Sequence, residues 1–283
     1  MILIADSGSS KTEWRIISNK TDNEGTCITQ GINPFYQDQK DISKSLEREY
    51  LINKNIKEIY FYGAGCTNDE KKNVVRNSLS NFFNTKKINI NTDLLGAARS
   101  LCGNKTGIAC ILGTGSNSCL YNGTEITQNT PPLGFIIGDE GSGAALGKKT
   151  IGNILKNQLP KNIIDLFFKE YQTTQSEILD NVYKRPFPNR YLAKFSCFLS
   201  KYIEFEELEA IVILSFKEFI EKNLLQYKDV EKMKIHFTGS IAYHFKPQLI
   251  KALNAFNLNP GQIQKSPVEG LAKFHSQPNQ FHV

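Results

Sequence analysis

Hydrophobic and polar positions along this chain trace one arrangement twice. Short apolar runs at 1–5, 13–18 and 26–31, separated by glycine, hydroxyl and amide residues, predict three strands with hairpin-like spacing. A helix follows at 41–51, then a strand at 58–62 that ends in Gly63-Ala64-Gly65-Cys66-Thr67. A helix at 70–83, a strand at 87–90 ending in Asn91-Thr92-Asp93 and a helix at 94–101 close the first unit. Strands at 107–113, 118–121 and 125–128 repeat the opening, and matching Gly8 to Gly115 gives an offset of 107 residues. Strands that alternate with helices predict an α/β fold with a largely parallel sheet.

The middle of the chain changes period. From 143 to 227 the pattern is mostly helical, and Leu208, Ile211, Val212, Phe216, Phe219 and Ile220 form one apolar stripe that core packing explains. A short strand at 234–237 runs into Thr238-Gly239-Ser240 and a further helix. Ser266-Pro267-Val268-Glu269 has Ser at N-cap, Pro at N1 and Glu at N3. This is the signature of a capping box opening a last helix, from 267 to about 275.

Composition narrows the function classes. The 283 residues are enough for two domains, and 40% hydrophobic with 22% charged residues describes an ordered globular protein. The net charge of +6 is scattered among acids with no basic block, so nucleic acid is not an expected partner. No apolar run reaches the roughly 18 residues of a membrane span. Met1 leads straight into a strand, with no charged region ahead of an apolar core, so a cytoplasmic protein is expected. The six cysteines include no C-x-x-C pair and read as buried free thiols. The four histidines have no metal-ligand spacing, which leaves histidine- or zinc-based catalysis without support.

The candidate chemistry lies in the doubled turn. Asp6-Ser7-Gly8-Ser9-Ser10-Lys11-Thr12 and Leu112-Gly113-Thr114-Gly115-Ser116-Asn117 each join two strands through glycine and short hydroxyls. Such a turn offers N–H and O–H donors to a phosphate. The first is no Walker A loop, because Ser10 stands where that motif needs a glycine before Lys11. Asp6, at a strand end, is placed to hold magnesium through water; a serine-rich turn with a capping acid is the plainer alternative. Asp93, at a strand end before a helix, reads either as an N-cap or as a general base with an ordinary aspartate pKa. Gly138-Asp139-Glu140-Gly141-Ser142 puts an acidic pair on an exposed loop before a helix.

Taken in order, these motifs resemble the actin/hexokinase/Hsp70-like ATP-binding superfamily, and within it the N-acetylglucosamine kinase branch of the group that also holds the BadF/BadG-type ATPases. The resemblance implies two α/β domains of RNase H-like topology, an actin-like ATPase fold with a nucleotide cleft between them. It sets the N-terminal domain at 1–105, joined by the C-terminal helix 267–283, and the C-terminal domain with its helical insertion at 106–266. By the same resemblance Gly8, Ser9, Ser10, Lys11 and Thr12, with Gly113, Thr114, Gly115 and Ser116, hold the phosphates of ATP. Thr238, Gly239 and Ser240 hold its adenosine, and Asp6 holds Mg2+ through water. Asp93 takes the proton of the sugar's 6-hydroxyl, and Asn33, Gly63, Ala64, Gly65, Gly134 and Asp139 bind the sugar.

The implied activity is ATP-dependent 6-phosphorylation of an amino sugar, N-acetylglucosamine first. One stretch departs from the family: Pro131-Pro132-Leu133-Gly134-Phe135 stands where a glycine-glycine-tryptophan-glycine run is common. Glucosamine and N-acetylmuramate therefore stay open as substrates. A BadF-type activator ATPase is the alternative class, for which Cys66 is the cysteine in a glycine loop. A non-catalytic nucleotide sensor is a third, disfavoured by the retention of Asp6, Asp93 and Asp139. A homodimer stays open.

Overall fold

The computed structural model describes residues 1–8, 10–17, 25–46 and 55–276. In chain order the elements are β1 (Ile2–Ser7), β2 (Lys11–Ile17), β3 (Thr26–Gln30), α1 (Gln39–Leu46), β4 (Glu58–Gly63), α2 (Asp69–Phe83), β5 (Ile88–Thr92) and α3 (Asp93–Cys102). There follow β6 (Gly107–Leu112), β7 (Ser116–Tyr121), β8 (Ile126–Thr130), α4 (Gly134–Ile137), α5 (Gly143–Leu155), α6 (Lys161–Tyr171), α7 (Gln175–Tyr183), α8 (Pro188–Ala193), α9 (Ser196–Lys201) and α10 (Glu206–Phe219). The chain ends with β9 (Lys234–Thr238), α11 (Ser240–His244), α12 (Lys246–Ala255), β10 (Asn259–Gln264) and α13 (Val268–Ser276).

Two compact units result. Unit 1 holds Met1–Thr106, Tyr121–Ile126 and the segment from Ser266 onward; unit 2 holds Gly107–Leu120 and Thr127–Lys265. The sheet of unit 1 has the order β3-β2-β1-β4-β5, antiparallel across β3, β2 and β1 and parallel across β1, β4 and β5. The second sheet reads β8-β7-β6-β9-β10 from the corresponding edge, again with its last three strands parallel. The repeated arrangement is therefore one topology built twice. Its register corrects the expected offset: β1 and β6 end at Ser7 and Leu112, so Gly8 corresponds to Gly113 and the offset is 105 residues.

In unit 1 both faces of the sheet are covered, which is why β1 is apolar without alternation. Leu3 and Ala5 pack with Trp14, Phe61, Leu79 and Ile90 on one face, whereas Ile4 packs with Tyr62 and Leu271 on the other. Trp14 is fully buried, and its indole N–H donates to Thr29 Oγ1 at 2.9 Å. Asn68 caps α2 by accepting the Lys71 N–H at 2.9 Å. At α13 the capping box is half formed. Ser266 Oγ accepts the Val268 N–H at 3.3 Å, while Glu269 reaches Arg15 at 3.7 Å. Residues 47–51 and 277–283 of the expected helices, like Ser18 of the expected second strand, lie outside the described residues.

Unit 2 owes its larger core to the helical region. All six residues of the predicted stripe are buried, among Phe167, Phe195 and Phe198. The stripe runs past α10 into a π turn at Ile220–Leu224, which brings Lys222 and Asn223 to Glu140. β10 was not predicted. Its Asn-Pro-Gly opening reads as a turn, and it pairs with β9 only through a register shift between Pro260 and Ile263. His236 fills that bulge, its Nδ1 accepting the Gln262 N–H at 3.0 Å.

Candidate functional site

Each unit gathers its own part of the candidate residues. In unit 1, β1 delivers Asp6 and β5 delivers Asp93, the first residue of α3. The two carboxylates come close enough to repel one another. Burial, then Asp93, then Glu13 push the Asp6 carboxyl up to about 8, with Lys11 opposing. Burial raises Asp93 to about 6, against the stabilising pull of the Leu94 N–H, which donates to Asp93 Oδ1 at 2.9 Å. The expectation of an ordinary aspartate pKa at Asp93 is thus corrected. The N-cap at this corner is Thr92, whose Oγ1 accepts the Leu95 N–H at 3.2 Å, which leaves Asp93 free of that duty.

The first turn is closed by the Gly8 N–H, which donates to Lys11 O at 3.0 Å. Lys11 is exposed and lies 3.5 Å from Glu13. Thr12 does not fit its predicted phosphate role. β2 alternates, so Thr12 shares the inward face of Trp14 and Ile16, and its hydroxyl is fully buried. It lies 2.6 Å from Ser7 Oγ and 3.2 Å from Gln30 O. Ser10 is exposed, and Ser9 lies outside the described residues.

Around the corner Asn33 meets the glycine segment after β4. Gly65 has φ +80°, and a Cβ there would stand 2.3 Å from Asn33 Oδ1, so only glycine allows this approach. Asn33 Oδ1 accepts the Phe35 N–H at 3.0 Å, and its Nδ2 has no partner among the described residues. Gly63 ends β4, and the Ala64 N–H donates to Ser7 O at 2.8 Å. Cys66 is fully buried, its thiol pushed up to about 12 by burial and by Asp93. That removes the exposed cysteine an activator ATPase would need at this loop.

In unit 2 the turn at 113–116 is braced by the start of α5: Gly143 and Ala144 donate to Gly113 O at 2.8 Å and Thr114 O at 3.1 Å. The Gly113 N–H closes on Gly115 O at 2.9 Å. The acidic pair, expected on an exposed loop, is instead half-buried. Asp139 Oδ1 accepts the Ser116 N–H at 3.1 Å, and burial raises its carboxyl to about 6. Glu140 is held by Lys222 at 3.1 Å. Gly134 opens the short α4, where Leu133, Ile136 and Ile137 are exposed, and its carbonyl accepts the Gly138 N–H at 2.8 Å. Beside the turn, Thr238 Oγ1 is buried without a hydrogen-bond partner, and Gly239 has φ +117° against Leu112 O. Ser240 opens α11. Tyr243, half-exposed, with Lys265 Nζ 6.0 Å from its ring centroid, completes this edge. Sequence reasoning missed both residues, although an aromatic four residues after Gly239 was the available signal.

Among the described residues no group of three or more His, Cys, Asp or Glu side chains is placed to chelate a metal, and no helix is long and apolar enough to cross a membrane. Magnesium nonetheless fits Asp6. Its carboxylate makes no hydrogen bond or ion pair among the described residues and faces two further acids. A divalent cation that keeps most of its waters needs one such carboxylate and the substrate's phosphates.

No protein-family model and no curated protein matches the chain. Solved structures do. The "Putative N-acetylglucosamine Kinase" of Porphyromonas gingivalis is 44% identical with a TM-score of 0.92, over 97% of this chain and 98% of that one. A structure of the same description from Chromobacterium violaceum is 15% identical with a TM-score of 0.73, over 96% and 98% of the two chains. A ROK family glucokinase from Streptomyces griseus, solved with glucose and AMPPNP, is 11% identical with a TM-score of 0.57, over 96% of each. The last two establish the fold alone, that of two-domain actin-like ATPases.

Proposed function

The chain belongs to the N-acetylglucosamine kinase-like family of actin-like ATPases, and we propose that it is an ATP-dependent kinase that phosphorylates the 6-hydroxyl of an amino sugar, N-acetylglucosamine first. The observation that carries this reading is the Asp6–Asp93 pair. Two carboxylates far apart in sequence are held together and partly buried, and the opposing charge of Lys11 does not offset burial and repulsion at Asp6. Such an arrangement is costly for folding, and a metal-dependent phosphoryl transfer gives it a purpose.

In this reading Asp93 accepts the proton of the sugar hydroxyl as it attacks the γ-phosphate. A carboxyl raised to about 6 is a stronger base than an ordinary aspartate yet still ionised at neutral pH. Asp6 would hold Mg2+ through water, and the bound ion would neutralise charge on the transferring phosphoryl group. We assign phosphate contacts to both turns, through Gly8, Ser9, Ser10 and Lys11 and through Gly113, Thr114, Gly115 and Ser116. Adenosine contacts fall to Thr238, Gly239, Ser240, Tyr243 and Lys265. The sugar falls to Asn33, whose Nδ2 is available as a donor, to 63–65, to Gly134 and to Asp139.

The P. gingivalis relative supports N-acetylglucosamine as the first substrate to try, with glucosamine and N-acetylmuramate next. An ADP-release assay over a panel of amino sugars tests the reading. Magnesium-dependent turnover on one of them is the expected result, and ADP release indifferent to every sugar would refute it.

A further inference from the structure

In unit 2 a carboxylate occupies an amide of the predicted phosphate turn. Asp139 Oδ1 accepts the Ser116 N–H at 3.1 Å. The carboxylate also lies against Gly115, where a Cβ would stand 3.0 Å from Oδ2 and 3.2 Å from Oδ1. The backbone of Asp139 is fixed separately: its N–H donates to Pro132 O at 2.9 Å and its carbonyl accepts the Ser142 N–H at 3.1 Å. Two side-chain torsions are therefore all that must change for the carboxylate to leave.

Neither nearby cation makes a salt bridge with Asp139: Lys222 pairs with Glu140 at 3.1 Å, and Lys148, which donates to Phe135 O at 3.2 Å, acts on the Asp139 carboxylate through space. What holds Asp139 in the turn is a charge-assisted bond from a backbone amide, the bond an anion makes in such a nest. Unit 1 is arranged differently. Its acid, Asp6, precedes the turn on the strand, and the residue in register with Asp6 in unit 2 is Ile111.

We propose that Asp139 competes with nucleotide phosphate for the 113–116 turn: without sugar its carboxylate fills the seat, and a sugar hydroxyl that draws it away opens the seat. The inference rests on the kinase reading above. Acceptor binding then tightens nucleotide binding, and by linkage the nucleotide tightens the sugar equally. The exchange is one of hydrogen-bond partners and breaks no covalent bond. Its consequence is that ATP is held weakly until an acceptor is present, which limits idle hydrolysis.

The test is the dissociation constant of AMPPNP, measured by calorimetry without sugar, for the wild-type protein, Asp139→Ala, Asp139→Asn and Glu140→Gln. Asp139→Ala is expected to bind about tenfold more tightly than wild type, the order set by removing one charged hydrogen-bond competitor. Asp139→Asn keeps an acceptor without the charge and falls between. Glu140→Gln removes an adjacent charge that does not touch the turn and changes affinity less than about twofold.

Equal affinity of wild type and Asp139→Ala overturns the proposal, and so does an equal gain in Glu140→Gln. Should Asp139→Ala fail to fold by circular dichroism, Asp139→Asn against Glu140→Gln decides. If the wild-type protein binds no AMPPNP, with or without millimolar N-acetylglucosamine, the kinase reading falls and takes the proposal with it. A wild type that phosphorylates a sugar, beside an Asp139→Ala that shows no gain, removes the proposal alone.

Discussion

The two units share a strand order and a glycine turn, and treat their acids in opposite ways. In unit 1 Asp93 and Glu13 gather near Asp6 and raise the cost of its charge. In unit 2 Asp139 stands on a separate loop and settles its carboxylate on the turn itself. Topology was duplicated here and electrostatics was not. A turn is set by backbone geometry, which tolerates many side chains, whereas a charge cluster depends on which residues the neighbouring strand ends and loops deliver.

The largest effect expected from breaking this contrast is at Asp93. Asp93→Asn keeps the shape of unit 1 and removes the base, so turnover should fall by about a hundredfold to ten-thousandfold while AMPPNP affinity stays near wild type. A variant that turns over normally would end the base assignment.

Two glycines come next, one in each unit. At Gly239 an added Cβ meets Leu112 O at 2.2 Å, and backbone of a buried strand does not yield. With φ at +117° as well, Gly239→Ala should lose about 3 kcal/mol in denaturant titration. At Gly65 the Cβ meets a side chain, Asn33 Oδ1, which can turn aside. Gly65→Ala should therefore lose less stability, about 1–2 kcal/mol, and show its effect as a raised KM for the sugar. Equal losses in both variants would show that the Asn33 contact is as rigid as the strand.

How much of this was legible follows from which interactions are local. The hairpins and the α10 stripe are written in spacings of two to four residues, and both units reproduce them. The placement of Thr12 was also readable: Trp14 and Ile16 share its parity in β2, and a hydroxyl on that face must go inward. The direction of Asp139 was not, because it depends on Ser116, 23 residues away. Likewise β10 was hidden. Asn259-Pro260-Gly261 carries turn chemistry, and the strand forms because an edge position tolerates proline and His236 fills the bulge. The raised carboxyl of Asp93 had no signal in the sequence either, since burial at the end of β5 is a property of the packed unit.

A smaller effect separates charge from shape in unit 1. Asp6 has a folded pKa of about 8 against an ordinary 3.8. Below 3.8 both states carry the proton; as pH rises toward 8 the unfolded chain ionises and the folded one resists, so stability is lost across that window. Asp6→Asn removes the loss. Its advantage in melting experiments should be absent at pH 4 and reach about 2 kcal/mol at pH 8, after allowance for partial exposure. An advantage that does not grow with pH would count against repulsion and burial as its source.

The smallest effect compares one histidine from each unit. In unit 1 His275 of α13 lies 2.8 Å from Tyr62 Oη through Nε2 and stacks on Tyr60 at 3.7 Å between centroids; burial and the Arg99 guanidinium lower it to about 4. In unit 2 His236 is lowered by burial and Lys234. A neutral histidine with a depressed pKa contributes stability that is full above about 6.5 and is lost as pH falls toward its folded value. The unfolded chain takes up the proton first. His275→Gln should therefore flatten the acid side of the melting curve by about 1 kcal/mol between pH 6.5 and 4.5, relative to wild type. His236→Gln should flatten it less. If the order is reversed, the bulge of β10 rather than the seat of α13 is the acid-sensitive joint. The two units would then differ in what proton uptake breaks, as they already differ in where their acids stand.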